Sequence, residues 1–416
     1  MKTAILLLTC LIIMIVSEAF AKTPSAGEKK GNDDLGAVVK SGNAFALDLY
    51  AQLAAGEKGN LFFSPASIHT ALAMTYAGAG GQTADQLAKT LHFTVEREKL
   101  HPAFADLIKT LNSPRKDYEG KPAYALVVAN ALWGQKGYPF KADFTKLLKA
   151  SYDAGLNEVD FANGEQARKT INDWIAQQTK DKIKDLIPQG VLSEMTRLVL
   201  TNAIYFKSNW AEKFEKRATK DGPFRLSAEK TATVPMMHQK HRFGYAETEA
   251  FQTLELPYMS HDLSMVVFLP RKADGLADFE KTLTADNLPK CLEQIKYMDV
   301  QVTMPKFKFT AQFRLAEKLR AMGIVDAFVA NAADFSGMAT IEKLFISEVI
   351  HKAFVAVDEE GTEAAAATAV MMVGTGMQVP TEPKVFTADH PFIFLIQHKA
   401  SGSILFIGRV TEPKAE

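Results

Sequence analysis

Hydrophobic residues recur at helical spacing through much of the first half of the chain. Phe45, Leu49 and Leu53 repeat every four residues, which places them on one face of a helix. A second helix is predicted over 65–78, where a Ser-Pro pair precedes the apolar positions, and a third over 165–187. The first half of the chain is therefore expected to be mainly helical.

Runs typical of β-strands lie among these helices and dominate the second half. The predicted strands cover 125–134, 197–206, 263–270, 300–305 and 345–357, and 391–410 is expected to form two strands joined by a Lys-Ala-Ser-Gly turn. The run 197–206 is apolar on both faces, which predicts a central strand. Helices followed by many strands, without strict alternation of the two, predict an α+β architecture.

Composition and charge describe an ordinary globular protein with a large core. The 416 residues include 48 basic and 48 acidic side chains, and 47% are hydrophobic. Because the charge is balanced, no nucleic-acid partner is expected. Charged, apolar and turn residues stay mixed from Ala37 to Pro413 without a linker or repeat, so residues 37–416 are expected to form a single domain, although domains above about 300 residues are unusual.

The first 21 residues have the pattern of an export signal. Lys2 is followed by an apolar run from Ala4 to Val16, and small residues stand at Ala19 and Ala21, where a signal peptidase would cut. The run is shorter than the roughly 20 residues needed to span a bilayer, so a cleaved signal peptide is favoured over a membrane anchor. A secreted protein, extracellular or periplasmic, is therefore expected, with no membrane contact after removal of the signal.

The cysteines and glycosylation sites add to this picture. Lipid attachment at Cys10 is disfavoured because the apolar run continues past it, and removal of the signal leaves Cys291 as the only cysteine. No internal disulfide can then form, so stability must come from packing. The chain has no N-x-[ST] acceptor, which favours a bacterial source. Residues 22–36 are polar and rich in Gly, Lys and Asp, and are predicted to be a disordered lead-in.

Motifs for enzymatic chemistry are absent from the sequence. It has no G-x-S-x-G, H-E-x-x-H, C-x-x-C or phosphate-loop lysine, which disfavours a hydrolytic enzyme. His238 and His241 have a spacing that could bind a metal, but without a third ligand an exposed loop is favoured. Cys291 could act as a nucleophile only beside a histidine in space, and an incidental thiol is favoured. No metal or cofactor is expected.

The stretch 357–380 combines acidic, small and flexible residues in an unusual order. It follows the apolar run 354–357 and contains no proline from 358 to 379, so every amide there is free to join a sheet. Alternation from Thr362 would send the small residues inward and the charge of Glu363 to solvent. The segment could therefore slide between two strands, although an exposed alanine-rich helix has the same composition.

The letters "EEGTEAAAATA" in this stretch resemble the hinge of the reactive-centre loop in inhibitory serpins. Other blocks resemble serpin motifs in serpin order from about residue 40 to Pro413, among them "NLFFSPASIHTALAMTYAGAGGQT", "TNAIYFKSNW", "MPKFKF", "ISEVIHKAFVAVDEEGTEA" and "HPFIFLI". The resemblance implies the serpin fold, with three β-sheets, eight or nine helices and an exposed reactive-centre loop at about 359–385. It also implies the following hinge residues: Glu359, Glu360, Gly361, Thr362, Glu363, Ala364, Ala365, Ala366, Ala367 and Thr368.

The resemblance further implies a mechanism in which the target protease is trapped. The protease attacks the loop, forms an acyl-enzyme, and is carried away as the cleaved loop enters the main sheet; fifteen residues at ~3.3 Å each would move it roughly 50 Å. Family spacing places the reactive bond between Thr375 and Gly376, with Gly374 and Met377 left open. Thr or Met at this bond suggests an elastase-like or subtilisin-like serine protease as the partner of a monomeric inhibitor.

Several polar residues match positions where the family's main sheet opens. Ser64, Ser67, Asn202 and His351 match a cluster beneath the opening strands. Trp210 and Lys306 match the end where the loop enters, and an ion pair between Lys306 and Glu359 is expected. A buried polar network without a switching role is the alternative for these positions. For the whole chain, the alternative function is that of a non-inhibitory serpin acting as a carrier or chaperone.

Overall fold

A computed structural model describes residues 33–116, 120–340, 344–362 and 382–414. The predicted signal peptide, Cys10, hinge residues 363–368 and the reactive bond Thr375–Gly376 lie outside these described residues. Within them, no helix is long and apolar enough to cross a membrane.

Nine α-helices lie in the described residues. They are α1 (Asp33–Gly56), α2 (Pro65–Tyr76), α3 (Gly81–Thr90), α4 (Arg97–Leu111), α5 (Ala142–Tyr152), α6 (Gly164–Gln178), α7 (Leu276–Thr282), α8 (Asn287–Glu293) and α9 (Ala316–Met322).

The start of α1 corrects the predicted disordered lead-in, because residues 33–36 are already helical. Asp33 and Asp34 stand in the first turn, where negative charge interacts favourably with the helix dipole. The buried side chains of Val38, Phe45 and Leu49 then hold the helix against the core. Composition alone therefore placed the end of the polar lead-in a few residues too late.

The helix predicted over 165–187 is also shorter than expected, since α6 ends at Gln178. Lys180, Asp181 and Asp185 have positive φ values, which a continuing helix does not allow. The Thr179 hydroxyl donates to the Ile175 carbonyl at 2.8 Å and accepts from the Ile183 amide at 3.1 Å, so it stabilises the turn that follows. The apolar spacing continues into a segment that packs as an ordered loop.

Fifteen β-strands complete the described fold. They are β1 (Leu61–Phe63), β2 (Tyr124–Gln135), β3 (Leu156–Val159), β4 (Leu198–Asn209), β5 (Lys220–Arg225), β6 (Thr231–Glu247), β7 (Phe251–Pro257), β8 (Leu263–Pro270), β9 (Lys296–Pro305), β10 (Phe307–Arg314), β11 (Ile346–Val357), β12 (Gly361–Thr362), β13 (Lys384–Thr387), β14 (Phe392–His398) and β15 (Ser403–Val410).

Six of these strands form one mixed sheet in the order β10-β11-β12-β4-β2-β3. Strand β4 lies inside this sheet and is buried over nearly its whole length, which confirms the central strand predicted for 197–206. Strands β11 and β4 also pair directly with each other in parallel orientation. This sheet contains Gly361 and Thr362 of the predicted hinge, which form β12.

The other nine strands form a second connected ladder rather than the two smaller sheets that were expected. The long strand β6 is the reason, because it pairs with β5 over 231–236, with β9 over 236–245 and with β7 over 244–247. Continuous hydrogen bonding through β6 joins two regions that would otherwise count as separate sheets. With the helices, the two sheets confirm the α+β class.

Strand β6 also corrects the interpretation of His238 and His241 as part of an exposed loop. Both residues pair with β9, opposite Thr303 and Val300. A spacing of three places them on opposite faces of a strand. His238 instead bonds to the Thr303 hydroxyl at 2.9 Å, so the two imidazoles do not form a metal-binding pair.

Candidate functional site

The candidate site is the seam between β11 and β4, which pair directly at one end of the six-stranded sheet and are separated by β12 at the other. The two strands pair in parallel from Ile346–Leu198 to Ala353–Ile204. Beyond that point β12 lies between them, with Thr362 opposite both Val357 of β11 and Ser208 of β4. The first two residues after the acidic pair therefore already occupy the seam as an antiparallel strand.

Gly361 can enter the seam only because it has no side chain. A Cβ atom at this position would lie 2.1 Å from the Ser208 carbonyl oxygen and 2.7 Å from the Asn209 Cα atom, both of them backbone atoms that cannot turn aside. The glycine of the hinge motif is thus required by close approach of the β4 backbone.

Thr362 points into the core, on the side that alternation predicted. Only 1% of its surface is exposed, and its hydroxyl lies 2.7 Å from the hydroxyl of buried Tyr258. The Tyr258 ring stacks on Trp210, with ring centroids 4.7 Å apart. The next residue along the strand, Glu363, lies outside the described residues.

Trp210 holds the chain that leads into β12. Its indole nitrogen donates to the Asp358 carbonyl at 2.9 Å, and its backbone amide donates to the Glu360 carbonyl at 2.9 Å. The Asp358 carboxylate in turn accepts hydrogen bonds from the Glu360 and Gly361 amides at 2.8 and 3.2 Å. The turn between β11 and β12 is therefore fixed by side-chain contacts at both ends.

Glu359 forms the predicted ion pair with Lys306, at 2.9 Å between Oε2 and Nζ. Its other carboxylate oxygen accepts from the Thr219 hydroxyl at 2.7 Å, and 5% of its side chain is exposed. Burial by itself would raise the pKa of this carboxyl, but the hydrogen bonds from Lys306 and Thr219 outweigh burial and lower it. Glu359 is therefore charged and paired at neutral pH.

Glu360 is held by two lysines that precede β5. Its carboxylate lies 2.6 Å from the Lys213 ammonium and 3.3 Å from that of Lys216. The hydrogen bond from Lys213 lowers the pKa of the Glu360 carboxyl, with a smaller contribution from Lys216. The two acidic residues that precede Gly361 thus both have cationic partners.

A buried polar network lies farther down the same sheet and includes the four predicted residues Ser64, Ser67, Asn202 and His351. The Asn202 side-chain amide donates to the Ser67 hydroxyl at 2.6 Å and also to the side-chain oxygen of Asn130. The Ser67 amide donates to the Ser64 hydroxyl at 3.2 Å, which caps helix α2. The network therefore joins α2 to three neighbouring strands.

His351 crosses the seam in this network. Its Nε2 atom accepts from the Ser64 backbone amide at 3.2 Å, so Nδ1 carries the proton and donates to the side-chain oxygen Oδ1 of Asn202. His351 and Asn202 are also backbone neighbours across β11 and β4. Burial lowers the pKa of His351 to about 3, so the ring is neutral at pH 7. Separation of the two strands must break this bond.

Sequence reasoning missed several residues of the site. Asn130 has a detectable signal, since it is an amide inside the apolar run 125–134. Thr219, Lys213 and Tyr258 have none, because each comes from a different part of the chain and meets the hinge only in the folded protein.

The described residues contain no group of three or more His, Cys, Asp or Glu side chains that could hold a metal ion. Cys291 is a half-buried free thiol, and burial raises its pKa.

Comparisons with known proteins agree with this geometry. A family model described as Serpin (serine protease inhibitor) matches residues 40–413. Leukocyte elastase inhibitor of Xenopus laevis is 44% identical over 377 residues, covering 89% of this chain and 97% of the relative; the human protein of the same name is 44% identical over 379 residues, with the same coverage. The solved structure of Serpin48, a highly specific serpin of the insect Tenebrio molitor, has a TM-score of 0.81 at 33% identity and covers 93% of this chain and 100% of Serpin48.

The mixed sheet holds Gly361 and Thr362, the first residues after the acidic pair, between β11 and β4. The chain belongs to the serpin family. As a member of that family it is classed with inhibitors of serine proteases rather than with enzymes.

Proposed function

We propose that this protein inhibits an elastase-like serine protease by inserting its cleaved reactive-centre loop between β11 and β4. The observation that carries the proposal is β12, which pairs with both strands before any cleavage. Within the described residues this strand consists of Gly361 and Thr362.

Insertion would replace the single ladder of backbone hydrogen bonds between β11 and β4 with two ladders, one on each side of the inserted strand. The parallel pairing of β11 with β4 would be lost, and each strand would gain an antiparallel partner in continuation of β12. Parallel pairing is the less stable of the two types per residue. About a dozen additional ladder hydrogen bonds, at ~0.5 to 1.5 kcal/mol each, would favour insertion by on the order of 10 kcal/mol. Cleavage supplies the free end that this movement requires.

The buried polar network lies partly across the seam and partly on the β4 side of it. The bond between His351 and Asn202 crosses it, whereas Asn202 and Asn130 belong to the β4–β2 pair, which stays intact. Movement of β11 would therefore act on the two hydrogen bonds of His351, while the bonds that join Asn202 to Ser67 and Asn130 lie on the β4 side.

The reactive bond is proposed between Thr375 and Gly376. The small Thr side chain suits an elastase-like protease, whose specificity pocket is small, and it lacks the positive charge that trypsin-like enzymes require. The names of the two leukocyte elastase inhibitors support the same class of target. A subtilisin-like protease is the second target class to be compared with it.

The central test is to mix the protein with an elastase-like enzyme and separate the products on a denaturing gel. A covalent band at the summed mass is expected, with loss of protease activity. Mass spectrometry of the released C-terminal peptide should begin at Gly376. Cleavage of the loop with full recovery of protease activity would instead indicate a substrate or carrier.

A specificity variant tests the position of the reactive bond. Thr375→Arg should shift complex formation from the elastase-like enzyme to trypsin, because the arginine would pair with the acid in the trypsin pocket. Retained preference for elastase would place the reactive bond elsewhere in the loop.

Export is a separate proposal that rests on residues 1–21. Expression of the full chain with export machinery, followed by N-terminal sequencing, should give a mature protein that begins after Ala21. Recovery of the intact N-terminus inside the cell would reject it.

A further inference from the structure

A cavity of about 480 Å³ lies away from the seam, between the β6–β7 turn and helices α7 and α8. Residues 248–251 of the turn form one wall, and Arg271 and Lys272, which follow β8, form another. Its volume lies within the range of small-molecule sites in proteins, about 300 to 1,000 Å³. None of its lining residues belongs to the hinge or to the buried network.

The floor of this cavity is aromatic. The rings of Phe251 and Phe279 have centroids 4.8 Å apart, and Phe268 lies behind them, 5.5 Å from Phe279. Cys291 lines the same space, and burial raises its pKa, so its thiol is uncharged at neutral pH and adds to the apolar surface. An aliphatic or aromatic ligand could therefore pack against these rings.

The charged groups around the floor leave an excess of positive charge. Arg271 is paired with Glu247 at 2.5 Å, and Asp278 is paired with Lys281 at 2.9 Å.

Three charged lining residues remain, namely the cations Lys272 and Lys290 and the acid Glu249. None of the three forms an ion pair with another described residue, although the pKa of the Asp278 carboxyl is lowered by Lys281 and, to a smaller extent, by the charge of Lys272. The lysines are exposed, so either ammonium can turn toward a bound anion.

We propose that this cavity binds a small amphipathic carboxylate, with its apolar body on Phe251 and Phe279 and its anionic group between Lys272 and Lys290. The apolar floor supplies most of the binding free energy, since it is the part removed from water. The lysines select the sign of the charge and contribute more modestly, because they are exposed to solvent.

Cys291 offers a direct measure of occupancy. The full-length protein is treated with iodoacetamide, an uncharged reagent, with increasing decanoate, and alkylation is quantified on the peptide that contains Cys291. Decanoate should slow alkylation several-fold at saturation because the bound chain covers the thiol. Decylamine, which has the same apolar chain and the opposite charge, should protect at least about tenfold less effectively.

Two charge-reversal variants complete the test. K272E/K290E should raise the half-protecting decanoate concentration about tenfold. The control K146E/K169E makes the same change of net charge on exposed lysines of α5 and α6 and should leave that concentration unchanged.

Equal protection by decylamine and decanoate would overturn the proposal, since the cavity would then be a general apolar patch. The proposal would also fail if decanoate gave no protection of Cys291. A shift as large in K146E/K169E as in K272E/K290E would attribute the effect to net charge rather than to the cavity.

Discussion

The hydroxyl of Thr362 lies 2.7 Å from the hydroxyl of Tyr258 in the interior of the protein. The side chain of Thr362 is therefore already buried in the core before the loop is cut. Tyr258 stacks on Trp210, which also bonds to the backbone on the other side of Gly361. In the proposed mechanism the loop would begin its insertion from this fixed position, and cleavage would need only to extend the existing strand β12.

Replacement of Thr362 by arginine should convert the inhibitor into a substrate. A guanidinium group at this position would have to be buried against Tyr258 without an acidic partner, which is strongly unfavourable. The covalent band on a denaturing gel should decrease at least about tenfold, while cleavage of the loop continues. Thr362→Val, which keeps the size of the side chain, should still form the complex. Unchanged inhibition by Thr362→Arg would contradict the inward position of this residue during insertion.

Replacement of Gly361 by alanine should expel the hinge from the seam. The new Cβ atom would meet the Ser208 carbonyl oxygen at 2.1 Å, and strand β4 cannot yield without losing its pairing with β2. A glutamyl endopeptidase should then cut after Glu360 at least about tenfold faster than in the unmodified protein. Gly59→Ala is the control, because no atom lies within 4 Å of a Cβ placed there. Equal cleavage rates for all three proteins would show that the close approach does not hold the hinge.

Acid should weaken the charged contacts of the hinge. The pKa values of Glu359 and Glu360 are lowered in the folded protein, so their stabilisation is complete above the ordinary value of 4.5 and is lost as pH falls through the lowered values. At pH 7, E359Q/E360Q should reduce the free energy of unfolding by about 1 to 2 kcal/mol.

The matched control for this prediction is E194Q/E229Q, which changes two exposed glutamates. Denaturant unfolding from pH 7 to pH 3 should show the difference between E359Q/E360Q and the unmodified protein shrinking toward zero. A constant difference across this range would mean that the carboxylate charge is not what holds the hinge.

The buried histidine of the seam should couple unfolding to proton uptake. His351 has its pKa lowered to about 3, whereas the unfolded chain binds this proton near 6.5. Stability from this group is therefore complete above about pH 6.5 and declines as pH falls toward 3, by up to ~1.4 kcal/mol per pH unit. Calorimetric unfolding at pH 5 should take up about one proton fewer in His351→Gln. His69→Gln should give a similar decrease, since burial lowers the pKa of His69 to about 4. An unchanged proton count in His351→Gln would show that His351 is charged in the folded state.

Much of the fold could be predicted because its signals are local. The apolar run 197–206 had to be a strand covered on both faces, and β4 confirms this. The roles of Gly361 and Thr362 could also be predicted from the hinge motif. Glycine permits close approach of two backbones, and alternation along a strand decides that the Thr362 side chain faces inward. The local pattern predicted the wrong helix end after α6, because the apolar spacing continues there although the backbone is no longer helical.

The chain itself determined which residues could form strands, which segment was suited to insertion and which positions had to be small, because these depend on side chains a few residues apart. Only the folded protein decided where the seam opens and which partners hold the hinge. Thr219, Lys213 and Tyr258 reach the hinge from positions more than a hundred residues away, and pairing of β12 depends on the distance between two other strands. Contacts between distant segments leave no periodic trace in a single sequence, so their geometry had to come from tertiary structure.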